Sequence, residues 1–315
     1  MMDKENMYPA LKVNIAGVEF KNPVIAASGT FGYGREYAKM LDIGLLGGIS
    51  LKGMTLEERQ GNPPPRVAET PSGMLNCVGL QNPGLERFLK EELPWLAESG
   101  TRLVCNIAGN TEADYCELAE RLSDTPIDMI ELNISCPNVK AGGDAFGSDC
   151  AGAAQITRAV RKVCKKPLMV KLSPNVADIA SIAQAVESEG ADAVSLINTL
   201  LGMRIDVATK RPVLSNNTGG LSGPAVFPVA LRMVWQAASK VKIPVVGMGG
   251  IASWQDAAQM LLAGASAVQV GTATFTDPYA MLKIISGLNS YLEREGVNSV
   301  AEIVGAIKPY GGGRF

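Results

Sequence analysis

The sequence predicts a (β/α)8 TIM barrel, and three observations favour this fold class. Eight short apolar runs, rich in Val, Ile and Leu, recur with little polar alternation, as is typical of parallel strands buried on both faces. Amphipathic segments with helical spacing lie between most of these runs. Eight strands that alternate with helices over about 250 residues match the usual size of such a barrel. A doubly wound parallel sheet is the alternative that this pattern leaves open.

The predicted strands end in small or polar residues, and most of them are followed by a helical pattern. In chain order they are residues 23–29, 45–53, 102–109, 128–135, 167–173, 192–199, 243–250 and 266–272. The clearest amphipathic helices are predicted over residues 150–164, 176–189, 224–239 and 254–263.

Three further segments extend the predicted barrel. Residues 11–20 predict a β-hairpin that precedes the first barrel strand and covers the N-terminal mouth. Residues 54–83 and 200–223 are predicted to be long loops at the C-terminal face, where the active sites of such barrels lie. Because no internal repeat, low-complexity tract or linker interrupts the pattern, we expect one domain over residues 1–315.

Composition and charge exclude several classes of protein. Hydrophobic residues make up 47% of the chain and charged residues 19%, a balance that excludes disorder. A formal net charge of −2 gives no indication of a nucleic-acid or anionic-membrane partner. The first fourteen residues carry acids and no apolar stretch, so we expect no signal peptide and a cytoplasmic location.

The chain contains no histidine, which restricts its possible chemistry. Ser-His-Asp and Cys-His nucleophile pairs, His-ligated zinc and a His general base are all excluded. Proton transfer must therefore use Cys, Lys, Tyr or a carboxylate.

Of the six cysteines, Cys136 has the setting that best suits a catalytic thiol. Pro137 follows it and ends the strand, so the thiol lies on a loop among Asn, Ser, Gly and Lys. Cys105, Cys116 and Cys164 lie within apolar patterns that predict core positions. Because no two cysteines form a C-x-x-C pair, we expect no metal site and no iron–sulfur cluster within this chain.

Polar residues and glycines follow the apolar strands at one end of the predicted barrel. Closure of the barrel brings these strand ends into one ring of amides and ammonium groups without carboxylates, which suits an anionic, carbonyl-rich ligand. The ring contains Lys52, Asn106, Asn133, Ser135, Cys136, Lys171, Asn198, Thr199, Gly249, Gly250, Gly271 and Thr272.

The glycine-rich end of the seventh strand predicts a phosphate site. Its GMGGIA segment also fits the G-x-G-x-x-A pattern of dinucleotide-binding folds. The next strand, however, ends in Gly271 and Thr272, where a dinucleotide fold needs an acidic residue for the ribose. The segment therefore favours a mononucleotide phosphate site in a barrel.

Several long motifs between residues 22 and 276 carry a resemblance to a known family. They are NPVIAASGTFGYG, GNPPPRVAETPSGMLNCVGLQNPG, ELNISCPNVKAGGDAFG, VKLSPNV, INTLLGMRID, GGLSGPA, GMGGI and VGTATF. Together they resemble the class 1 dihydroorotate dehydrogenases, in particular the catalytic subunit of the NAD-linked branch, class 1B. The membrane-bound class, which has Ser at the base position and an N-terminal membrane helix, is less similar.

The resemblance implies a single FMN-binding domain that oxidises dihydroorotate to orotate in pyrimidine biosynthesis. It implies that Cys136 removes the C5 proton while the C6 hydride passes to flavin N5. The residues implied to bind FMN are Ser28, Lys52, Gly53, Asn106, Asn133, Lys171, Ile197, Gly223, Gly249, Gly250, Gly271 and Thr272. Those implied to bind substrate are Lys52, Asn76, Cys77, Val78, Gly79, Leu80, Asn133, Asn198 and Thr199.

The class 1B resemblance also implies a partner. An electron-transfer subunit with FAD and a [2Fe–2S] cluster would pass electrons to NAD, in a heterotetramer of two catalytic and two electron-transfer chains. The alternatives are a fumarate-dependent class 1A enzyme, a related FMN barrel for another dihydropyrimidine, a flavin-free isomerase or lyase, and a non-catalytic subunit. The presence of Cys136, Lys52 and Lys171 argues against the last of these.

Overall fold

The computed structural model describes residues 7–135 and 146–310, which contain sixteen short strands. These are β1 Val13–Ile15, β2 Val18–Phe20, β3 Val24–Ala26, β4 Gly48–Ser50, β5 Val67–Thr70, β6 Gly73–Asn76, β7 Arg102–Ile107, β8 Met129–Asn133, β9 Leu168–Lys171, β10 Ala193–Leu196, β11 Leu200–Gly202, β12 Ile205–Asp206, β13 Arg211–Pro212, β14 Gly219–Ser222, β15 Val245–Met248 and β16 Ala267–Val270.

Eight of these strands close into a parallel barrel. Its order around the ring is β3, β4, β7, β8, β9, β10, β15 and β16, and β16 pairs with β3 to complete the circle. Every barrel strand lies within one of the eight predicted runs. The predicted fold class is therefore confirmed, and the doubly wound sheet is excluded.

Helices surround the barrel, and their buried faces follow the helical period. The helix Cys150–Val163 buries Ala153, Ile156, Thr157 and Val160 against the strands. The longer helices are Glu112–Ser123, Cys150–Val163, Ile179–Ser188, Phe227–Ala238, Trp254–Leu262 and Ala280–Glu295. Short helical segments cover Leu85–Arg87, Phe88–Glu92, Leu93–Ala97 and Ala273–Thr276, and 3₁₀ turns cover Pro9–Leu11, Tyr37–Lys39, Ile43–Leu45, Pro224–Val226 and Val300–Ile303. In the described ranges, no helix combines the length and apolar character that a membrane crossing requires.

The predicted N-terminal hairpin is formed by β1 and β2 and packs on the lower end of the barrel. Ile15 and Phe20 are buried in a cluster with inward-facing residues of the barrel strands, among them Val104, Met129 and Met169. This apolar layer removes the N-terminal mouth from solvent. Within the described residues, the C-terminal end of the barrel is therefore the end that is open to a ligand.

The two segments predicted to be long loops form a second sheet. Strands β5 and β6 come from the first segment and β11 and β14 from the second, in the antiparallel order β11-β14-β6-β5. Asn76 pairs with Gly220, 144 residues away. The loop expectation is wrong in this respect because a pairing over such a distance leaves no local signal in the sequence.

Candidate active site

A cavity of about 830 Å³ lies at the C-terminal mouth of the barrel. Residues at the ends of the barrel strands line it, together with residues of β5, β6 and β14 from the second sheet. The volume falls in the range of about 300–1,000 Å³ that is usual for small-molecule sites. The loops that extend the barrel therefore enclose the strand ends in a ligand-sized space.

Most of the strand-end residues predicted from the sequence come together in this cavity; Ser135 does not line it, and Cys136 lies outside the described residues. All of those implied to bind FMN line it, and so do all of those implied to bind substrate except Cys77. The lining includes Ser28, Lys52, Gly53, Asn76, Val78, Gly79, Leu80, Asn106, Asn133, Lys171, Ile197, Asn198, Thr199, Gly223, Gly249, Gly250, Gly271 and Thr272.

Cys77 is buried in a small apolar cluster with Leu75 and Leu214 and does not line the cavity. Its backbone N–H donates to the carbonyl oxygen of Arg66 at 2.8 Å, and its own carbonyl accepts from Nδ2 of Asn62 at 2.8 Å. Neighbouring side chains of an extended segment alternate between its two faces. The motif assigned all residues of the run 76–80 to the substrate and did not distinguish the two faces, so it wrongly included the side chain of Cys77 in the cavity lining.

Cys136, the residue predicted to be the base, lies outside the described residues, as does the rest of the segment 136–145. The residue before it, Ser135, is buried beside Asn133. The role of Cys136 stays a prediction from the sequence.

Three asparagines of the cavity, Asn106, Asn133 and Asn198, form a continuous hydrogen-bonded chain together with Ser135. Nδ2 of Asn133 donates to Oδ1 of Asn106 at 3.2 Å, and Oδ1 of Asn133 accepts from the backbone and hydroxyl of Ser135 at 3.2 and 3.0 Å. Nδ2 of Asn198 donates to the Ser135 carbonyl at 3.0 Å, and its Oδ1 accepts from the Thr199 N–H at 2.8 Å. Each amide is therefore held in one orientation, with a defined donor and acceptor side.

Two lysines line the cavity. Lys171, the last residue of β9, is only 5% exposed, and Lys52 follows β4. A neighbouring cavity of about 510 Å³ shares Lys52 with the first one and is also lined by Arg59, Arg66 and Arg87. This accumulation of cations favours the approach and binding of an anion.

A carboxylate that the sequence analysis missed lies just below this ring. Glu131, in the middle of β8, is completely buried and accepts hydrogen bonds from four side chains. Burial raises the pKa of its carboxyl, but the charge of Lys171 and these hydrogen bonds outweigh burial, so the net pKa is below the ordinary value. The group is ionised at neutral pH, so a negative charge lies below the ring of amides and ammonium groups that the sequence predicted.

A signal for Glu131 was present in the sequence. It stands two residues before Asn133, and side chains two apart on a strand share a face. The carboxylate of Glu69, from β5, also lines the cavity. Glu131 was missed because it lies within the apolar run of β8. Glu69 was missed because the second sheet was not predicted.

Two buried polar atoms at the cavity have no partner in the described part of the chain. They are Oε1 of Gln269 and Oγ1 of Thr70, and both residues line the cavity. An unpaired buried acceptor or hydroxyl costs about 1–3 kcal/mol, so a ligand that hydrogen-bonds to them would gain affinity. With the Lys171 ammonium and the glycine-rich ends of β15 and β16, they fit a polar mononucleotide such as the FMN implied by the resemblance.

Comparison with known proteins agrees with this geometry. The family model described as dihydroorotate dehydrogenase matches residues 10–292. The chain belongs to the dihydroorotate dehydrogenase family. Its resemblance to the NAD-linked branch is also confirmed, because curated relatives of that branch match nearly the whole chain.

Two of these relatives are named dihydroorotate dehydrogenase B (NAD(+)), catalytic subunit. The one from Bacteroides fragilis is 57% identical over 299 residues, which cover 95% of this chain and 99% of the relative. The one from Alkaliphilus metalliredigens is 53% identical over 306 residues, with 97% and 100% covered. A solved structure of DHODH from Eimeria tenella, in complex with ferulenol, matches with a TM-score of 0.79 at 23% identity. The match covers 95% of this chain and 88% of the Eimeria chain, and it supports the fold.

Glycine contacts dock the second sheet onto the barrel of this dihydroorotate dehydrogenase family member. Gly223 has φ +100° and ψ −177°, a conformation open almost only to glycine, and a Cβ there would lie 2.7 Å from Cα of Gly73. A Cβ on Gly250 would lie 2.8 Å from the carbonyl oxygen of Gly223. The backbone therefore comes into close contact at Gly73, Gly223 and Gly250, where the second sheet covers the cavity.

We expect Gly223→Ala to loosen this cover and lower ligand affinity at the cavity. The strained backbone costs about 1–3 kcal/mol, and the clash with Gly73 adds to it. The matched control is Gly296→Ala, where φ is +67° but a Cβ meets nothing within 4 Å. Thermal unfolding and FMN titration check this, and equal FMN affinity in the two variants would contradict it.

Proposed function

We propose that this chain oxidises dihydroorotate to orotate as the catalytic subunit of an NAD-linked dihydroorotate dehydrogenase in pyrimidine biosynthesis. The observation that carries the proposal is the convergence of the motif residues on one cavity at the barrel mouth, beside two lysines. The names of relatives that are 53–57% identical over nearly the whole chain support it.

FMN is the cofactor that we assign to the cavity, within one FMN-binding unit over residues 1–315. When bound, FMN supplies the acceptor for the hydride from C6 of the substrate. The Lys171 ammonium stabilises negative charge on a ligand in the cavity, because it is nearly buried and little screened by water. The glycines that follow β15 and β16 admit a phosphate close to the backbone.

The asparagine chain is suited to the dihydropyrimidine ring. Amide side chains each present a donor and an acceptor, which match the alternating N–H and C=O groups of dihydroorotate. Asn133 and Asn198 have fixed orientations, so little entropy is lost when they bind substrate. Lys52 contributes a positive charge for a substrate that carries a carboxylate.

Cys136 is the base in this proposal. It takes the proton from C5 while the hydride leaves C6, and a C5–C6 double bond forms. A thiol acts as a base at neutral pH when its pKa is lowered, and a cation close to the sulfur is one means of lowering it. In the sequence, Cys136 follows the last residue of β8 by three positions.

Electrons leave this chain through a partner. The relatives are named as catalytic subunits of an NAD(+) enzyme, which agrees with a separate electron-transfer chain. We assign to that partner an FAD and a [2Fe–2S] cluster, in a heterotetramer of two catalytic and two electron-transfer chains. The sequence of residues 1–315 has no C-x-x-C pair for an iron–sulfur cluster and no dinucleotide motif with an acidic ribose partner.

We expect the purified chain to be yellow and to release FMN, rather than FAD, on denaturation. The reason is that GMGGIA contributes Gly249 and Gly250 to a mononucleotide site and has no acidic ribose partner after β16. Chromatography of the released flavin checks this. Anaerobic dihydroorotate is expected to bleach the flavin spectrum and dihydrouracil is not. Recovery of FAD alone, or of no flavin after reconstitution, would contradict the assignment.

A further inference from the structure

We propose that Glu131 is a positioning residue of the flavin site: its carboxylate orients the amide chain of the cavity and offsets the charge of Lys171, and thereby lowers the reduction potential of bound FMN. This inference rests on the proposed function, since it concerns the cofactor assigned there. Glu131 itself does not line the cavity, so it acts through the groups that do.

The carboxylate is held by donors from four different barrel strands. Oε2 accepts from Oγ of Ser50 at 2.7 Å and from Nδ2 of Asn106 at 2.6 Å. Oε1 accepts from Oγ of Ser195 at 2.7 Å and from Nε2 of Gln269 at 2.8 Å. These residues belong to β4, β7, β10 and β16, so one side chain on β8 ties together opposite sides of the barrel.

An ionised carboxylate only accepts hydrogen bonds, and this determines how the amides above it are oriented. Asn106 must turn its Nδ2 toward Glu131, which leaves its Oδ1 to accept from Asn133. Oδ1 of Asn133 then accepts from Ser135. Two cavity residues, Asn106 and Asn133, therefore owe their orientation to a group below the cavity.

The same constraint acts on Gln269. Its Nε2 donates to Glu131, so its Oε1 is the buried acceptor that has no partner in the described part of the chain. Because Gln269 lines the cavity, that oxygen is available to an N–H group of a ligand. A glutamine in place of Glu131 would turn an N–H donor toward side chains that themselves donate, so some of the four hydrogen bonds would be lost.

The charge of Glu131 matters beyond its hydrogen bonds. Lys171 and Glu131 are both buried, and their charges interact strongly enough to affect the titration of the carboxyl. With both ionised the pair has no net charge, whereas loss of the carboxylate leaves one uncompensated cation beside the cavity. An uncompensated cation stabilises the reduced, anionic flavin and therefore raises its reduction potential.

The test compares the FMN reduction potential of wild type, Glu131→Gln and Ser195→Ala by anaerobic titration against a reference dye. We expect Glu131→Gln to favour reduced flavin at least tenfold, which is about 30 mV for a two-electron couple. Ser195→Ala is the matched control, because it removes one hydrogen bond to Glu131 and keeps the charge. It is expected to change the same equilibrium less than threefold while it lowers the melting temperature.

Glu131→Asp keeps the proposal testable if the Gln variant does not fold. It retains the charge on a shorter side chain, so the equilibrium between oxidised and reduced flavin is expected to stay within threefold of wild type, while the KM for dihydroorotate rises more than kcat falls. A tenfold shift of this equilibrium in Glu131→Asp, which is about 30 mV, or a wild-type potential in Glu131→Gln, would overturn the inference.

The two proposals fail in different ways. A wild-type protein that takes up no FMN would overturn both the proposed function and the role of Glu131. A wild-type protein that binds FMN and is reduced by dihydroorotate, together with an unchanged potential in Glu131→Gln, would overturn only the role of Glu131.

Discussion

Replacement of Cys136 by alanine is expected to slow the reduction of bound FMN by dihydroorotate about 10²–10⁴-fold, the usual contribution of a positioned acid–base group. FMN content and orotate binding are expected to persist, since neither needs a base. The sequence has no histidine that could replace the thiol. Anaerobic stopped-flow measurement of the flavin absorbance gives the rate for each variant.

Other cysteines supply the control for this experiment. Burial, with the charge of Glu131 nearby, raises the pKa of Cys105 to about 12, so that thiol stays protonated at neutral pH. Cys116 lies on the helix Glu112–Ser123 outside the barrel, and Cys116→Ala is expected to react at the wild-type rate. A wild-type rate in Cys136→Ala would mean that another residue is the base, with Lys52 the next candidate.

Cys136→Ser gives the pH dependence of the same step. A hydroxyl deprotonates at higher pH than a thiol, so the serine variant is expected to be slow at neutral pH and to approach the wild-type rate as the pH rises. A constant ratio of the two rates across pH would argue against proton removal by residue 136.

Reduction of NAD is expected to require the partner subunit. The isolated chain should oxidise dihydroorotate with artificial acceptors, yet its reduced flavin should react with NAD only when the electron-transfer chain is added. The segment GMGGIA, its one match to a dinucleotide motif, contributes Gly249, Gly250, Ile251 and Ala252 to the cavity already assigned to FMN. No group of three His, Cys, Asp or Glu side chains that could hold a metal ion occurs within residues 7–135 and 146–310.

Stopped-flow mixing of the reduced, partner-free protein with NAD tests this expectation. Slow flavin reoxidation without the partner and fast reoxidation with it are the expected results. Rapid formation of NADH by the isolated chain would refute the two-subunit proposal. Fast turnover with fumarate would instead assign the protein to the homodimeric class 1A branch.

The sequence by itself determined the eight parallel strands and the residues at their C-terminal ends. Short apolar runs without polar alternation, separated by helices, predict buried parallel strands, and all eight were found. Closure into a barrel, rather than a doubly wound sheet, was seen only in the structure. Parallel strands also carry their C-terminal ends to the same edge, so residues such as Asn106, Lys171 and Thr272 had to meet there. Local pattern and chain direction are sufficient for both conclusions.

Only the tertiary structure decided which side chains meet across the barrel and above it. The pairing of β6 with β14 joins segments 144 residues apart, and the contacts of Glu131 join β8 to four other strands. Cys77 likewise follows Asn76 in the motif but is buried with Leu75 and Leu214. Such contacts depend on strand register and barrel closure, which decide the partners of each side chain, whereas the spacing of neighbouring residues indicates only which of them share a face.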